Sequence, residues 1–324
     1  MKDNLIIYVS SRNNYNMFEH EVLNNINREG FEIINIDDGS CNEEFEKGKS
    51  ICEKNNIVFL KSKDRGVQMA TQTLIDFINK ERPNCKWVIC FQHDNWPITN
   101  NFFNRISELI AQEKLDEFGT MGFNVLDKDD YTPNEYARWE QGEKVIGQVG
   151  IANLSVKSLT DRWLCPYKNS NLHKNIDKWL KPFIMESPIW AVGGINVELW
   201  NKYIEPTTDY QFHLWFPDIA MQFNYNNLPC IILPDLYIMN FIRLKEKYNI
   251  PGNSAVGARA GDEYHFGTYN IHHNSWKERW GWDYEDSANT FRLVEENYLD
   301  TIISKYFNHD ISKGPLKNIN LGKY

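Results

Sequence analysis

Long apolar runs are absent from this 324-residue chain, so no segment reaches the roughly 18 to 20 residues that a membrane-crossing helix needs. Paired cysteine spacing is absent as well. Cys41, Cys52, Cys85, Cys90, Cys165 and Cys230 stand apart without a CxxC, and some sit in apolar runs such as Trp87–Phe91, a pattern of reduced, buried thiols. A basic excess is also missing. With 35 Lys and Arg against 44 Asp and Glu, the net charge of -9 opposes the extended phosphate contact that duplex nucleic acid requires, so no nucleic-acid partner is expected. The opening residues hold only five consecutive apolar side chains, Leu5 to Val9, before Ser10-Ser11-Arg12, too few for a secretory core, and a cytoplasmic protein is expected. Internal repeats and low-complexity tracts are lacking too. What the chain has in quantity is aromatic side chains, 16 Tyr, 18 Phe and 11 Trp, which suit a core and equally suit stacking on sugar rings.

The first hundred residues alternate short β-rich runs with amphipathic stretches, the pattern of parallel strands joined by crossover helices. Strands are expected at Leu5–Val9, Phe31–Ile36, Ile57–Leu60 and Trp87–Phe91, with helices around Glu19–Arg28, Glu43–Lys54 and Val67–Lys80. Each strand runs into polar residues at its C-terminal end, where open α/β sheets place their ligand crevice. Beyond a helix at Asn101–Ala111, the stretch Asp127–Glu143 reads as a surface loop. Pro182–Trp190 suggests a strand and Ala191–Gly194 a turn; Val197–Tyr203 and Pro217–Asn227 suggest helices, and Cys230–Leu233 a last strand. Four glycines between Pro251 and Gly267 suggest a mobile loop, and Tyr284–Phe307 has the spacing of a terminal helix. One large α/β domain over residues 1–245 is expected, its nucleotide-binding half 1–100 and acceptor half 101–245, with a loop and helical extension over 246–324.

Several polar clusters carry chemistry. Asp37-Asp38-Gly39-Ser40 puts an acidic pair at the sheet edge, where a carboxylate can accept from a base N–H; an ordinary Asp-Gly turn with Ser40 as helix cap has the same residues. Gln92-His93-Asp94 follows a buried strand and delivers Asp94 to the same edge, as a hard oxygen ligand for a divalent cation or as a plain turn residue. Pro217 at a helix start places Asp218 in the first turn, where the dipole favours an ionised carboxylate able to accept a proton, or merely to complement the helix end.

Taken in order, Ile6–Asn13, Ile36–Ser40, Asp64–Ala70 and Phe91–Asp94 resemble the nucleotide-binding half of the family-2 glycosyltransferases. The resemblance spans residues 5–100 closely and 185–240 more loosely. It implies the GT-A fold, a Rossmann-like, mostly parallel central sheet flanked by helices. It also implies an inverting transferase acting on a nucleotide-sugar donor, most often a UDP-sugar, and a carbohydrate acceptor in surface polysaccharide or glycoconjugate synthesis. By the same resemblance Ser10, Arg12, Asp38, Arg65, Gln92 and His93 line the nucleotide. Asp94 is the last carboxylate of the Asp-x-Asp motif and reaches Mn2+ or Mg2+. Gln92 stands where the family has the first acid, so the metal site is short of a ligand, which His265, or His272 and His273 near it, could supply. Asn240 stands where many relatives have a histidine. Asp218 matches the catalytic base, although Ala220 replaces the second acid of that motif, and Asp209 is the second choice. Trp190, Gly193, Gly194 and Trp215 fall in the acceptor-side stretch, the glycines letting a sugar approach the backbone and the tryptophans stacking on it or packing in the core. A degenerate module of the same fold, binding sugar nucleotide or glycan without turnover, is the alternative that Gln92 and the lone Asp94 suggest.

Overall fold

The computed structural model describes residues 2–128, 135–151, 163–164, 176–185, 187–188, 192–210, 214–226, 228–241, 244–248 and 267–280. Its first strands are β1 (Leu5–Ser11), β2 (Ile33–Asp37), β3 (Val58–Lys61) and β4 (Trp87–Phe91), parallel in the order β3-β2-β1-β4. All residues of β1, β2 and β4 are buried, as expected of parallel strands covered on both faces by their crossover helices. Those crossovers are α1 (residues 15–25), α2 (Asn42–Lys54) and α3 (Val67–Glu81). Ser11 lies opposite Asp37 and Val9 opposite Phe91, which brings the polar strand ends level with one another.

α1 begins four residues earlier than its periodicity suggests. Asn13 and Asn14 both adopt φ 54°, turning the chain sharply out of β1, and Asn tolerates that left-handed geometry better than most residues. The helix passes through a π-segment at Phe18–Val22 and ends where Ile26 becomes extended.

The second half threads back through the same sheet. After β5 (Asn95–Pro97) and α4 (Phe102–Ala111) comes β6 (Thr120–Asp127), then α5 (Glu135–Glu140) inside the expected loop, and the short elements β7 (Gly150–Ile151), β8 (Trp163–Leu164), α6 (Ile176–Trp179), β9 (Phe183–Met185) and β10 (Ser187–Pro188). The strand β11 (Gly193–Asn196) inserts antiparallel between β4 and β6, and is followed by α7 (Val197–Tyr203), α8 (Trp215–Tyr225) and β12 (Cys230–Asn240). β12 runs parallel to β6 with a bulge between Leu233 and Tyr237, and also pairs with β5 and β9. The order across the main sheet is β3-β2-β1-β4-β11-β6-β12-β5. A separate small sheet joins β10, β7 and β8.

The chain closes, among the described residues, with α9 (Leu244–Lys247) and α10 (Gly267–Trp280). α10 begins at the end of the expected loop, where the glycine pattern gives no sign of a helix; its Trp276 is wholly buried in the main core. α8 starts at Trp215, two residues before Pro217, so the proline takes the third helical position, where its missing N–H still forfeits no helical bond. The expected terminal helix Tyr284–Phe307 lies outside the described residues.

Candidate functional site

Four turns meet at the C-terminal ends of β1 to β4, and they are bonded into one unit. Asp38 N donates to Ser11 O at 2.7 Å, Asn13 N to Ser40 Oγ at 2.7 Å, and Cys41 N to Asn13 Oδ1 at 3.0 Å, tying the first turn to the second. Ser62 N donates to Asp37 O at 2.8 Å and Gly66 N to Asp38 Oδ1 at 2.7 Å, tying the second to the third. The fourth joins through His93, whose Nε2 lies 2.7 Å from Ser11 Oγ.

Asp37 organises the second turn. Its Oδ1 accepts from Gly39 N (3.1 Å) and Ser40 N (3.0 Å), while Ser40 Oγ and the Tyr15 hydroxyl donate to Oδ2. Gly39 takes φ 80°, a conformation that a side chain would strain, and a Cβ there would stand 3.6 Å from Arg65 Cγ and Nε. Arg65 is exposed beside that turn, whereas Ser10, Arg12 and Asp38 are buried at 4%, 5% and 2% exposure. Asp38 therefore spends one oxygen on holding the Arg65 loop.

The expected nucleotide residues part company at the fourth turn. Gln92 is half-buried, and its Nε2, shielded from solvent, meets no acceptor within the described residues. His93, expected at the nucleotide, turns back into the protein instead: it is 4% exposed and its ring packs against Tyr15 and Phe18 at centroid distances of 6.0 and 5.7 Å. Asp94 is 5% exposed, accepts from Asn95 Nδ2 at 3.0 Å, and its backbone carbonyl takes Phe241 N at 2.8 Å, next to Asn240. Among the described residues no group of three or more His, Cys, Asp and Glu side chains forms a metal cage. The donor set around Asp94 is thus too small, within those residues, to hold a cation by itself. His265 lies outside the described residues. His272 is described and is buried at 2%, stacking edge-on to Tyr210 within α10 packing rather than standing on a loop.

On the other side of α3 lies Asp218, four residues into α8. Its carboxylate is fully buried and saturated: Gln68 Nε2 (2.9 Å) and Gln222 Nε2 (3.0 Å) donate to Oδ2, while Trp280 Nε1 (2.9 Å) donates to Oδ1 and Arg279 Nε stands 3.4 Å from it. Burial pushes its pKa up, and the Arg279 charge with the three donated hydrogen bonds opposes that rise without cancelling it. Gln68 and Gln222 also hold the loop after α7, accepting from Thr207 N and Glu205 N at 2.9 and 2.8 Å, and Arg279 Nη2 donates to Glu205 O at 3.0 Å. Asp218 is the hub where α3, α8, α10 and that loop join; nothing in the sequence pattern singles out Gln68, Gln222, Arg279 or Trp280. Asp209 is exposed on the same loop.

Of the acceptor-side residues, the two glycines are placed differently from expectation. Gly193 and Gly194 form a strand in mid-sheet instead of a turn, and packing accounts for their lack of a side chain. A Cβ on Gly193 would come within 2.6 Å of Met121 O and 2.9 Å of the Phe216 ring, and one on Gly194 within 2.9 Å of Met121 Cβ. Trp215 is 3% exposed and stacks on Phe216 at 4.7 Å and 7°, so it serves the core and offers no open face to a sugar in this conformation. Trp190 lies outside the described residues.

No family model matches this sequence, and no curated protein matches it. Solved structures do. GalNAc-T7, crystallised with UDP, GalNAc and Mn2+, superposes with a TM-score of 0.53 at 10% identity, over 97% of this chain and 58% of that one. Residues 1–349 of S. aureus TarS match with a TM-score of 0.43 at 12% identity, over 93% of this chain and 80% of that one. The chain spans little more than half the length of GalNAc-T7. It has the GT-A fold, a mixed α/β sheet, mostly parallel and flanked by helices. Among the described residues no helix is long and apolar enough to cross a membrane.

Proposed function

We propose that the protein is a glycosyltransferase that takes a sugar from a nucleotide donor, a UDP-sugar, and passes it to a hydroxyl of a glycan acceptor in surface polysaccharide or glycoconjugate synthesis. One observation supports this above the others. Four strand-end turns of a GT-A sheet are hydrogen-bonded into a single edge that gathers Ser10, Arg12, Asp38, Arg65, Gln92 and Asp94. In this reading Asp38 and Ser10 meet the nucleobase and ribose, and Gln92 turns its amide N–H₂, which is shielded from solvent and has no acceptor among the described residues, outward to donate to a ribose or phosphate oxygen. Arg12 and Arg65 meet phosphate charge, Arg65 from the exposed rim. A divalent cation bound at Asp94, with His265 as a second ligand, would supply neutralisation of the leaving diphosphate. The described residues provide only part of such a site, and no step below depends on it.

Inversion would follow from a single displacement with Asp218 as general base. For that, the carboxylate has to exchange Trp280 or Arg279 for the acceptor hydroxyl, because both its oxygens are engaged inside the protein. The same saturation favours a second reading in which Asp218 is a clamp between helices and the exposed Asp209 takes the proton. Thermal unfolding with UDP, GDP, dTDP and CMP, each with and without Mn2+, tests the donor reading, since a ligand that binds only the native state raises the midpoint. A rise with UDP that is matched by UDP release from a UDP-sugar in the presence of glycan supports the enzyme. A rise without turnover supports the non-catalytic module, and no rise with any nucleotide refutes the donor site.

A further inference from the structure

Behind the donor edge runs a chain of buried polar side chains, none of which faces solvent. Tyr15, Asn35, Ser11 and Asp37 are all at 0% exposure and His93 at 4%. The Tyr15 hydroxyl lies 2.8 Å from Asp37 Oδ2, to which it donates, and 3.3 Å from Asn35 Oδ1; Asn35 Nδ2 donates to Ser11 Oγ at 2.5 Å, and Ser11 Oγ sits 2.7 Å from His93 Nε2. The rings close the other side of the circuit, with Tyr15 against His93 at 6.0 Å. Space for Tyr15 is reserved by Gly48 of α2, where a Cβ would fall 2.4 Å from the phenol ring.

This circuit joins the ends of β1 and β2 to the turn after β4, and its members Ser11, Asp37 and His93 each directly precede a residue of the donor edge: Arg12, Asp38 and Asp94. Buried polar networks whose members are mutually satisfied are stiff, because breaking one bond strands a polar group away from water. We propose that Tyr15 and His93 are positioning residues that hold the Asp38 turn and the Asp94 turn in one fixed register. The two portions of a nucleoside diphosphate, nucleoside and diphosphate, are then received by a single pre-organised unit, and the ordering cost of binding is met during folding. This rests on the donor reading above. Tyr15 acts through Asp37, which holds the Gly39–Ser40 backbone; His93 acts through Ser11 and Asn35 on the same strand ends.

The experiment compares Tyr15→Phe, His93→Ala, His93→Gln and the Tyr15→Phe/His93→Ala double variant, well below each melting temperature. UDP affinity is measured by calorimetry, and hydrogen exchange of the peptide containing Gly39 and Ser40 is followed without ligand. Tyr15→Phe and His93→Ala should each weaken UDP about fivefold, the equivalent of one net hydrogen bond, and each should speed exchange at Gly39 and Ser40. His93→Gln, whose amide reaches Ser11 from a similar distance, should restore both readouts. The double variant should weaken UDP by less than the product of the single effects, as expected of members of one network. Melting temperatures that fall while affinity and Gly39–Ser40 exchange stay at wild-type values would overturn the proposal, leaving a purely structural network. Multiplicative single effects would overturn the link between the two turns. If wild-type protein binds no nucleoside diphosphate, the donor reading falls and the ligand half of the proposal falls with it, while exchange at Gly39 and Ser40 in His93→Ala still decides the mechanical link.

Discussion

Replacing Asp218 by asparagine keeps the volume of the side chain but turns one acceptor oxygen into a donor, and both oxygens are in use. If the new amide N–H₂ faces Gln68 and Gln222, two donors confront it; if it faces Trp280, the indole N–H loses its acceptor and Arg279 loses its counter-charge. Either orientation leaves at least one buried donor unsatisfied and removes a buried charge partner, a cost of about 3 kcal/mol. With an unfolding entropy of roughly 2.1 cal/mol/K per residue, a chain of this length loses about 4 °C of melting temperature for that change. A carboxylate serving only as general base would show the opposite pattern, with transfer slowed roughly 10²- to 10⁴-fold and the melting temperature unmoved. Calorimetric melting, UDP affinity and the transfer rate, read on the same preparation, separate the two. An unchanged melting temperature would refute the structural role of the bonds from Gln68, Gln222 and Trp280, and an unchanged transfer rate would refute the role of Asp218 as base.

The pH dependence of stability gives a further check on the same residue: an unfolded carboxyl gives up its proton near 3.8, the buried Asp218 only at higher pH, so wild type should lose stability relative to Asp218→Asn as pH rises through that window and then level off. Urea midpoints from pH 4 to 8 read this, and a difference that grows in favour of wild type with pH would contradict it. Gly194→Ala places a methyl 2.9 Å from Met121 Cβ and 3.0 Å from Ile89 Cδ1 in mid-sheet, and should cost about 1 to 3 kcal/mol in chemical denaturation; a neutral result would show that the strands yield. Among the described cysteines only Cys41 is exposed, next to the Ser40 turn, while burial pushes the thiols of Cys52, Cys85 and Cys230 up to about 12. Maleimide should therefore label Cys41 far faster than those three, and bound UDP should slow that labelling; equal rates with and without nucleotide would place the donor elsewhere.

The parallel half was legible because its strands are covered on both faces and so appear as unbroken apolar runs ending in polar turns. Leu5–Ser11 and Trp87–Phe91 show this plainly. β6 and β11 were not, since Met121-Gly122-Phe123-Asn124 and Gly193-Gly194-Ile195-Asn196 mix glycine and asparagine, both poor strand formers, and are held by tertiary pairing with β4, β12 and each other. The positions of Asp38, Arg65 and Asp94 at one edge followed from strand ends alone. The inward turn of His93 did not, because nothing in Gln92-His93-Asp94 says which side of the turn Ser11 and Tyr15 occupy. Nor could local pattern show that Asp218 is covered, as its cover, Trp280 and Arg279, comes from about sixty residues further along.

The insertion of β11 between β4 and β6 has a consequence for synthesis on the ribosome. β4 is translated by residue 91, but the strand that covers its free edge ends only at Asn196. At about 5 to 20 residues per second, the apolar edge Trp87–Phe91 stays unpaired for roughly 5 to 20 s in every nascent chain. An open strand of that composition is a template for pairing with another chain. Yield in a heterologous host should therefore depend on chaperone holding capacity and on translation speed between codons 91 and 196 more than on the stability of the finished molecule.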